Sequence, residues 1–264
     1  MKRLLITGAA GGVGRMLRDG LAGYAEILRL SDIADLGPAR SNEELVPCDL
    51  ADRAAVAELV KGCDGIVHLG AISVEARFDD ILQANILGTY NLYEAARHAG
   101  GPRILYASSN HVVGFHERAK YLDVDASLRP DSLYGVSKCF GEALACCYFD
   151  KFGQESVCVR IGSCFPEPKN RRMLATWLSP RDCVALVKAV FDAPATGFLI
   201  LYGVSANRQV WWSNEHAHFL GWQPQDSSEI FREAVERAHP PEDPESPATV
   251  FQGGPFVTGG HFED

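Results

Sequence analysis

The chain lacks a long apolar run. None of its 264 residues lies in a stretch near the ~18 apolar residues that a membrane-spanning helix needs. Met1-Lys2-Arg3 is a basic start, but only Leu4-Leu5-Ile6 follows before Thr7-Gly8, so the segment reads as a first strand and not as a signal peptide. Net positive charge is missing too. A formal charge of -9 argues against nucleic acid or an anionic membrane as the main partner, while leaving room for a local basic pocket. The eight cysteines contain no CxxC pair and no metal-type spacing with histidine. Free, mostly buried thiols in a reducing cytoplasm are therefore expected in place of a disulfide or zinc framework. Internal repeats and low-complexity tracts are absent as well, and the length suits one large domain or a domain with a small appendage.

What is present is alternation. Short apolar runs alternate with helical patterns over the first two thirds of the chain, the mark of a parallel sheet covered on both faces. Strands are expected at Lys2 to Thr7, Ala25 to Ser31, Glu44 to Cys48, Gly65 to Leu69, Arg103 to Ala107, Ser156 to Ile161 and Gly197 to Tyr202. Helices are expected at Gly12 to Leu21, Ala54 to Lys61, Phe78 to His98, 132 to 152 and Pro180 to Phe191. The fold class is α/β, a Rossmann-type doubly wound parallel sheet with a small C-terminal substrate-binding part. A single domain over 1–264 is expected, with 1–160 mainly holding the cofactor and 161–264 mainly the substrate. Cys164 to Lys169 reads as a loop, and the proline-, glycine- and acid-rich 223–264 reads as irregular.

Two motifs carry chemistry. The first is the turn Gly8-x-x-Gly11-x-x-Gly14, with Gly12 and Val13 inside it, lying between an expected strand and helix. Its glycines permit a tight turn, close approach of backbone to a pyrophosphate and close helix packing; a plain strand-to-helix turn is the bland alternative. Asp32, with Ile33 after it, ends the second strand 24 residues beyond Gly8. A carboxylate there can accept from ribose hydroxyls and repel a 2′-phosphate, which favours NAD over NADP, unless it is only a solvated turn residue. Arg15 reads as a surface helix arginine. Asp49-Leu50 and Leu69-Gly70-Ala71 follow the third and fourth strands, at the sheet edge where such folds bind ligands. Asp49 could reach an adenine amino group, or serve as a helix cap near Asp52.

The second motif is Tyr134-x-x-x-Lys138. Four residues is one helical turn, so phenol and ammonium share a face. A neighbouring cation is expected to lower the phenol's pKa and make Tyr134 a proton-transfer group near neutral pH. Ser109, 25 residues earlier, could hold a substrate oxygen. His111 could be a second base or a structural hydrogen-bonding residue. Trp211-Trp212 could stack on a sugar or anchor packing.

The glycine turn, Asp49-Leu50, Ser108-Ser109 and Tyr134-x-x-x-Lys138 together resemble the extended short-chain dehydrogenases/reductases, relatives of sugar-nucleotide epimerases and dehydratases. Longer strings narrow the resemblance to the bacterial uronate dehydrogenases: His68-Leu69-Gly70-Ala71-Ile72-Ser73-Val74-Glu75, Ala107-Ser108-Ser109-Asn110-His111, Tyr134 to Glu142, Arg160 to Cys164, Pro166-Glu167-Pro168 and Phe219-Leu220-Gly221-Trp222. This resemblance implies NAD-dependent oxidation of a hexuronic acid, glucuronate or galacturonate, at C1 to the aldarolactone. It implies Tyr134 as base, and Lys138 on the nicotinamide ribose, holding the phenol's pKa down. It also implies Ser73, Ser109, Asn110, His111 and Ser163 on the sugar, and Arg172 on the carboxylate. Arg–carboxylate pairing is charge-assisted and often bidentate, and so separates an acid from a neutral sugar. Whether Arg171 or Arg172 points inward is open at this stage. Gly12-Val13 and Phe165 depart from the family's usual residues, with little consequence expected at the former.

No metal is expected, because the oxidant is the cofactor. A small-molecule sugar acid, a homo-oligomer and a cytoplasmic location complete the expectation. One rival is a nucleotide-sugar epimerase or reductase, although only 126 of the 264 residues follow Lys138 to hold a nucleotide. The other is a non-catalytic dinucleotide sensor, which has no need of the serine, tyrosine and lysine together.

Overall fold

The computed structural model describes residues 1–260. Its seven-stranded sheet is built from β1 (Arg3–Thr7), β2 (Ile27–Ser31), β3 (Glu43–Leu45), β4 (Gly65–His68), β5 (Arg103–Ser109), β6 (Ser156–Ile161) and a last strand at Phe198–Gly203. All neighbouring pairs are parallel. The order is β3-β2-β1-β4-β5-β6 followed by the Phe198–Gly203 strand. From β1 the chain winds outward one way to β3, then returns to place β4 on the other side of β1. That reversal opens a crevice at the carboxyl ends of β1 and β4, the place where open α/β sheets bind ligands.

Side-chain alternation explains the layers. In β1, Leu4 and Ile6 face one core and Leu5 the other, all without solvent exposure. Burying each contributes about 1.5–3 kcal/mol. The first core takes in Leu17 from α1 (Gly12–Gly20) and, from the helix Pro180–Asp192, Leu186, Val187 and Val190. The second takes Val56 and Leu59 from α2 (Arg53–Leu59). It also takes Leu92, Tyr93 and Ala96 from the helix Gly88–His98, and Ala145 and Tyr148 from the helix Leu133–Phe152. A third cluster joins Val112, Val113, Leu122 and Trp212 to Tyr202 of the last strand. Trp212 stacks on Tyr202 at 5.1 Å, and Arg118 lies 5.3 Å over Trp211, so the tryptophan pair anchors packing.

Three departures from the sequence reading matter. The helix expected from Phe78 to His98 is α3 (Phe78–Ile81), a π-helical stretch at Leu82–Leu87 and α4 (Gly88–His98). The long helix, α5 (Leu133–Phe152), begins one residue later than expected, because Ser132 is its cap: Ser132 Oγ accepts from Gly135 N at 3.0 Å. After β6 come β7 (Ser163–Cys164), α6 (Met173–Thr176), β8 (Trp177–Leu178), α7 (Pro180–Asp192) and β9, the Phe198–Gly203 strand. The segment read as irregular contains α8 (Arg232–Ala238), α9 (Pro247–Val250) and a 3-10 turn at Gly254–Thr258. Its prolines start two of these elements, Pro247 at the head of α9 and Pro255 in the first turn of the 3-10 segment, where a missing N–H costs nothing. The last part of that reading, 261–264, lies outside the described residues.

A buried ion pair docks α5 on β6. Arg160 Nε and Nη2 each donate to Glu142 at 2.9 Å, and Ser108 Oγ donates to the same carboxylate at 2.6 Å. Glu142→Gln would leave the buried guanidinium without its counter-charge. It is expected to cost about 3–5 kcal/mol of stability. Urea unfolding of the variant checks this, and an unchanged midpoint would mean the pair does not hold the helix.

Candidate active site

The crevice has a dinucleotide half. Gly8 has φ +68°, and a Cβ there would fall 2.7 Å from Gly70 N, so the β1 and β4 loops meet closely because residue 8 is glycine. Thr7 Oγ1 ties the same loops by accepting from Gly70 N at 3.1 Å. Gly11 caps the nine-residue α1 with no side chain over the helix end, and Gly11 and Gly12 are exposed, so the first amides face the crevice. A Cβ on Gly12 would meet nothing within 4 Å. Val13 turns inward against the first core.

Asp32 sits at the end of β2 and is held from two sides, accepting from Ala10 N at 2.9 Å and Ala34 N at 3.0 Å. Two amides leave a carboxylate with lone pairs to spare for hydroxyl donors. Ile33 beside it is 80 % exposed. The helix-cap alternative for Asp49 is corrected: Asp52 caps α2, accepting from Ala54 N and Ala55 N, while Asp49 folds onto Ala51 N. Leu50 packs where Cβ atoms on Gly70 and Gly88 would stand, 2.7 and 2.9 Å away. Leu69 and Ala71 flank Gly70 on the β4 loop. Arg15 is exposed and donates to Ala10 O at 2.8 Å. Uncapped amides at a helix start, a fixed carboxylate at the end of β2 and a glycine-lined floor fit a dinucleotide with an unmodified adenosine ribose.

The Tyr134/Lys138 pair follows on α5. Tyr134 is in the first turn of α5 and 6 % exposed; Lys138 is one turn on and 3 % exposed. Lys138 Nζ donates to Ala107 O at 2.7 Å and lies 5.7 Å from the Tyr134 ring centre. Burial pushes the Tyr134 phenol up to about 12, although the Ser109 hydroxyl, hydrogen-bonded to it, pulls the other way. Burial also pushes Lys138 down to about 7. The expectation that the lysine holds the phenol's pKa down is therefore corrected for the ligand-free protein. Both groups are desolvated, and the lysine is committed to a carbonyl. A pH titration of the ultraviolet difference between wild type and Tyr134→Phe should show no phenolate step near neutral pH. The step should begin only above the ordinary phenol value of about 10. A step at neutral pH would restore the original expectation.

The third group of residues would face a sugar. Asn110 is buried; in the amide orientation that satisfies both neighbours, its oxygen accepts from Arg172 Nη2 at 2.7 Å and its nitrogen donates to Ile161 O at 3.2 Å. Arg172 Nε donates to Gln252 O at 2.8 Å. No carboxylate among the described residues lies within ion-pair distance of Arg172, and burial lowers its guanidinium to about 10, with Arg118 adding to the effect. Arg171 points away, donating to His239 O and Glu236 O and pairing with the Glu236 carboxylate at 3.6 Å. The inward arginine is thus Arg172. Ser163 is buried and shares a hydrogen bond with Thr176 Oγ1 at 2.9 Å on the segment that carries Arg172. Ser73 is exposed on the rim of the β4 loop.

Sequence reading missed the residues that hold these groups. Asn85, in the π stretch, accepts from Ile72 N at 2.8 Å, donates to Ile72 O at 2.9 Å and donates to Ser137 Oγ at 2.9 Å. Ser137 Oγ in turn donates to Tyr134 O, and Glu75 accepts from Tyr134 N at 3.0 Å. The loop carrying Ser73 is thereby tied to the first turn of α5. Asp131, Gln252 and Phe256 were missed as well. Only Asn85 left a signal, a polar residue within an otherwise apolar helix face; the rest are tertiary pairings.

The NAD-dependent epimerase/dehydratase family model matches residues 4–180. The chain is 58% identical over 257 residues, 97% of each chain, to a uronate dehydrogenase of Agrobacterium fabrum. It superposes with a TM-score of 0.98 on a glucuronic acid dehydrogenase of Chromohalobacter salexigens, at 57% identity, covering 100% of this chain and 99% of that one. A tyrosine-to-alanine mutant of the Agrobacterium tumefaciens uronate dehydrogenase, complexed with NAD, matches with a TM-score of 0.97 at 58% identity, covering 98% of each chain.

Proposed function

The chain belongs to the NAD-dependent epimerase/dehydratase family, and we propose that it oxidises hexuronic acids such as glucuronate and galacturonate at C1, releasing the aldarolactone. Bound NAD supplies the hydride acceptor. The amides of Gly12 and Val13 hold the pyrophosphate, with Gly8, Gly11 and Gly14 shaping the turn; Gly11 N donates to Gly8 O at 3.1 Å. Asp32 and Ile33 flank the adenosine ribose, Asp49 and Leu50 the adenine, and Leu69, Gly70 and Ala71 the floor beneath the cofactor.

Tyr134 takes the proton of the C1 hydroxyl as C1 gives up its hydrogen with both bonding electrons. The carbonyl forms within the ring, so the product is a lactone. Ser109 donates to the oxygen that bears developing negative charge, and Lys138 holds the nicotinamide ribose. Ser73, Asn110, His111 and Ser163 hold hydroxyls.

The observation that carries the reading is Arg172. A buried guanidinium with two neutral hydrogen-bond acceptors and no carboxylate within ion-pair distance among the described residues is costly, and a substrate carboxylate relieves that cost where a neutral aldose does not. The test is NADH formation across glucuronate, galacturonate, glucose, galactose and UDP-glucose. Reduction of NAD by the two uronates alone is expected. Equal rates with neutral aldoses, or activity confined to the nucleotide sugar, would overturn the assignment.

The reading treats 1–264 as one domain, with 1–160 serving mainly the cofactor and 161–264 mainly the sugar. It places the reaction in the cytoplasm, in keeping with eight free cysteines; no helix among the described residues is long and apolar enough to cross a membrane. Self-association into a homo-oligomer is part of the same proposal.

A further inference from the structure

His111 is 9 % exposed, and only one of its ring nitrogens has a partner among the described residues. That partner is Asp131, whose Oδ2 lies 2.7 Å from Nδ1. Asp131 itself is 8 % exposed, accepts from Ser132 Oγ at 2.9 Å, and lies just before the capped start of α5. Its carboxylate fits because two neighbours are glycines: a Cβ on Gly114 or on Gly253 would collide with Asp131 Oδ2. Those glycines are joined, Gly253 N donating to Gly114 O at 2.8 Å. Phe256, three residues on, lies on the imidazole with ring centres 3.8 Å apart and planes tilted by 30°. The Tyr134 ring is 5.8 Å from the imidazole. The imidazole is thus held by its face and by one nitrogen, while Nε2 has no hydrogen-bond partner among the described residues.

An ionised carboxylate only accepts hydrogen bonds, so Nδ1 must carry the hydrogen. A neutral imidazole with Nδ1–H has a lone pair at Nε2. Burial disfavours the imidazolium, with Asp131 opposing and Arg172 adding to that tendency, so the neutral form prevails. We propose that Asp131 is a positioning residue that fixes His111 as the Nδ1–H tautomer, so that Nε2 accepts a hydrogen bond from a hydroxyl of the bound sugar. His111 is then an acceptor in the site, whereas Asn110 and Arg172 present an amide and a cation. The sugar-binding role of His111 rests on the function proposed above; the tautomer does not.

Asp131→Asn keeps shape and volume but brings an amide that can donate to Nδ1, turning the ring to Nε2–H and making it a donor toward the sugar. Nitrogen-15 NMR of the ligand-free protein reads the tautomer directly, with the His111 signals assigned by their loss in His111→Gln. Wild type should show Nδ1–H with bare Nε2, and Asp131→Asn should shift the ring toward Nε2–H. Bare Nδ1 in wild type overturns the proposal whatever the substrate is, and that readout stands even if the variant folds poorly. In kinetics on glucuronate, Asp131→Asn should lower kcat/KM roughly 10- to 100-fold, the scale of one buried hydrogen bond to substrate. The same change in a His111→Gln background should have no further effect. Equal, additive losses in both backgrounds would show that Asp131 does not act through His111. A wild-type Nδ1–H tautomer in a protein inactive on every uronate would leave the tautomer standing and remove the functional reading instead.

Discussion

Tyr134→Phe is expected to lower kcat on glucuronate by about 10²- to 10⁴-fold, the usual contribution of one positioned acid–base group. The change removes a single oxygen at a buried position. The ring keeps its place 5.8 Å from His111 and 6.2 Å from Phe256, so folding should be little affected. The backbone of Tyr134 is held independently of the phenol, by Glu75 through N and by Ser137 through O. The loss should therefore appear in kcat, with a thermal midpoint close to wild type and cofactor binding retained. Wild-type turnover would mean that another group takes the proton, and His111 would be the first to examine.

Arg172→Met has the second large effect. It should reduce kcat/KM for a uronate by about 10²- to 10³-fold, the scale on which truncating one partner of a buried charge pair is felt. Activity on the matching neutral aldose should change far less. The fold is expected to tolerate the substitution for a physical reason. Removing the charge also removes its burial cost, which offsets the hydrogen bonds lost at Gln252 and Asn110. Equal losses on acid and aldose would contradict the carboxylate role. A collapse of stability would show that Arg172 is a structural cation.

The parts legible in sequence were those set by local physics. The Gly8 turn needs a positive φ and close backbone approach. Lys138 must follow Tyr134 by one helical turn. The strands alternate because both sheet faces are buried. Asp32 was legible because a strand end fixes where its carboxylate stands. The parts not legible depend on distant segments meeting. Asp131 reaches His111 only because Gly114 and Gly253 make room. Gln252 gathers Arg172, Trp212 and the backbone of His116, Glu117 and Lys120 from a segment whose prolines and glycines looked irregular. The choice between Arg171 and Arg172 turned on α8, which gives Arg171 its partners. The phenol's pKa was misjudged for a related reason: spacing shows that a cation is near, but not that both groups are desolvated.

The central claim is hydride removal from C1 of a uronic acid, and an isotope label tests it most directly. Glucuronate carrying deuterium at C1 is oxidised with NAD, and the reduced cofactor is analysed by mass spectrometry. The account predicts that the deuterium moves to the cofactor, with a lactone as the first product. Unlabelled NADH, with the deuterium retained on the sugar, would contradict it.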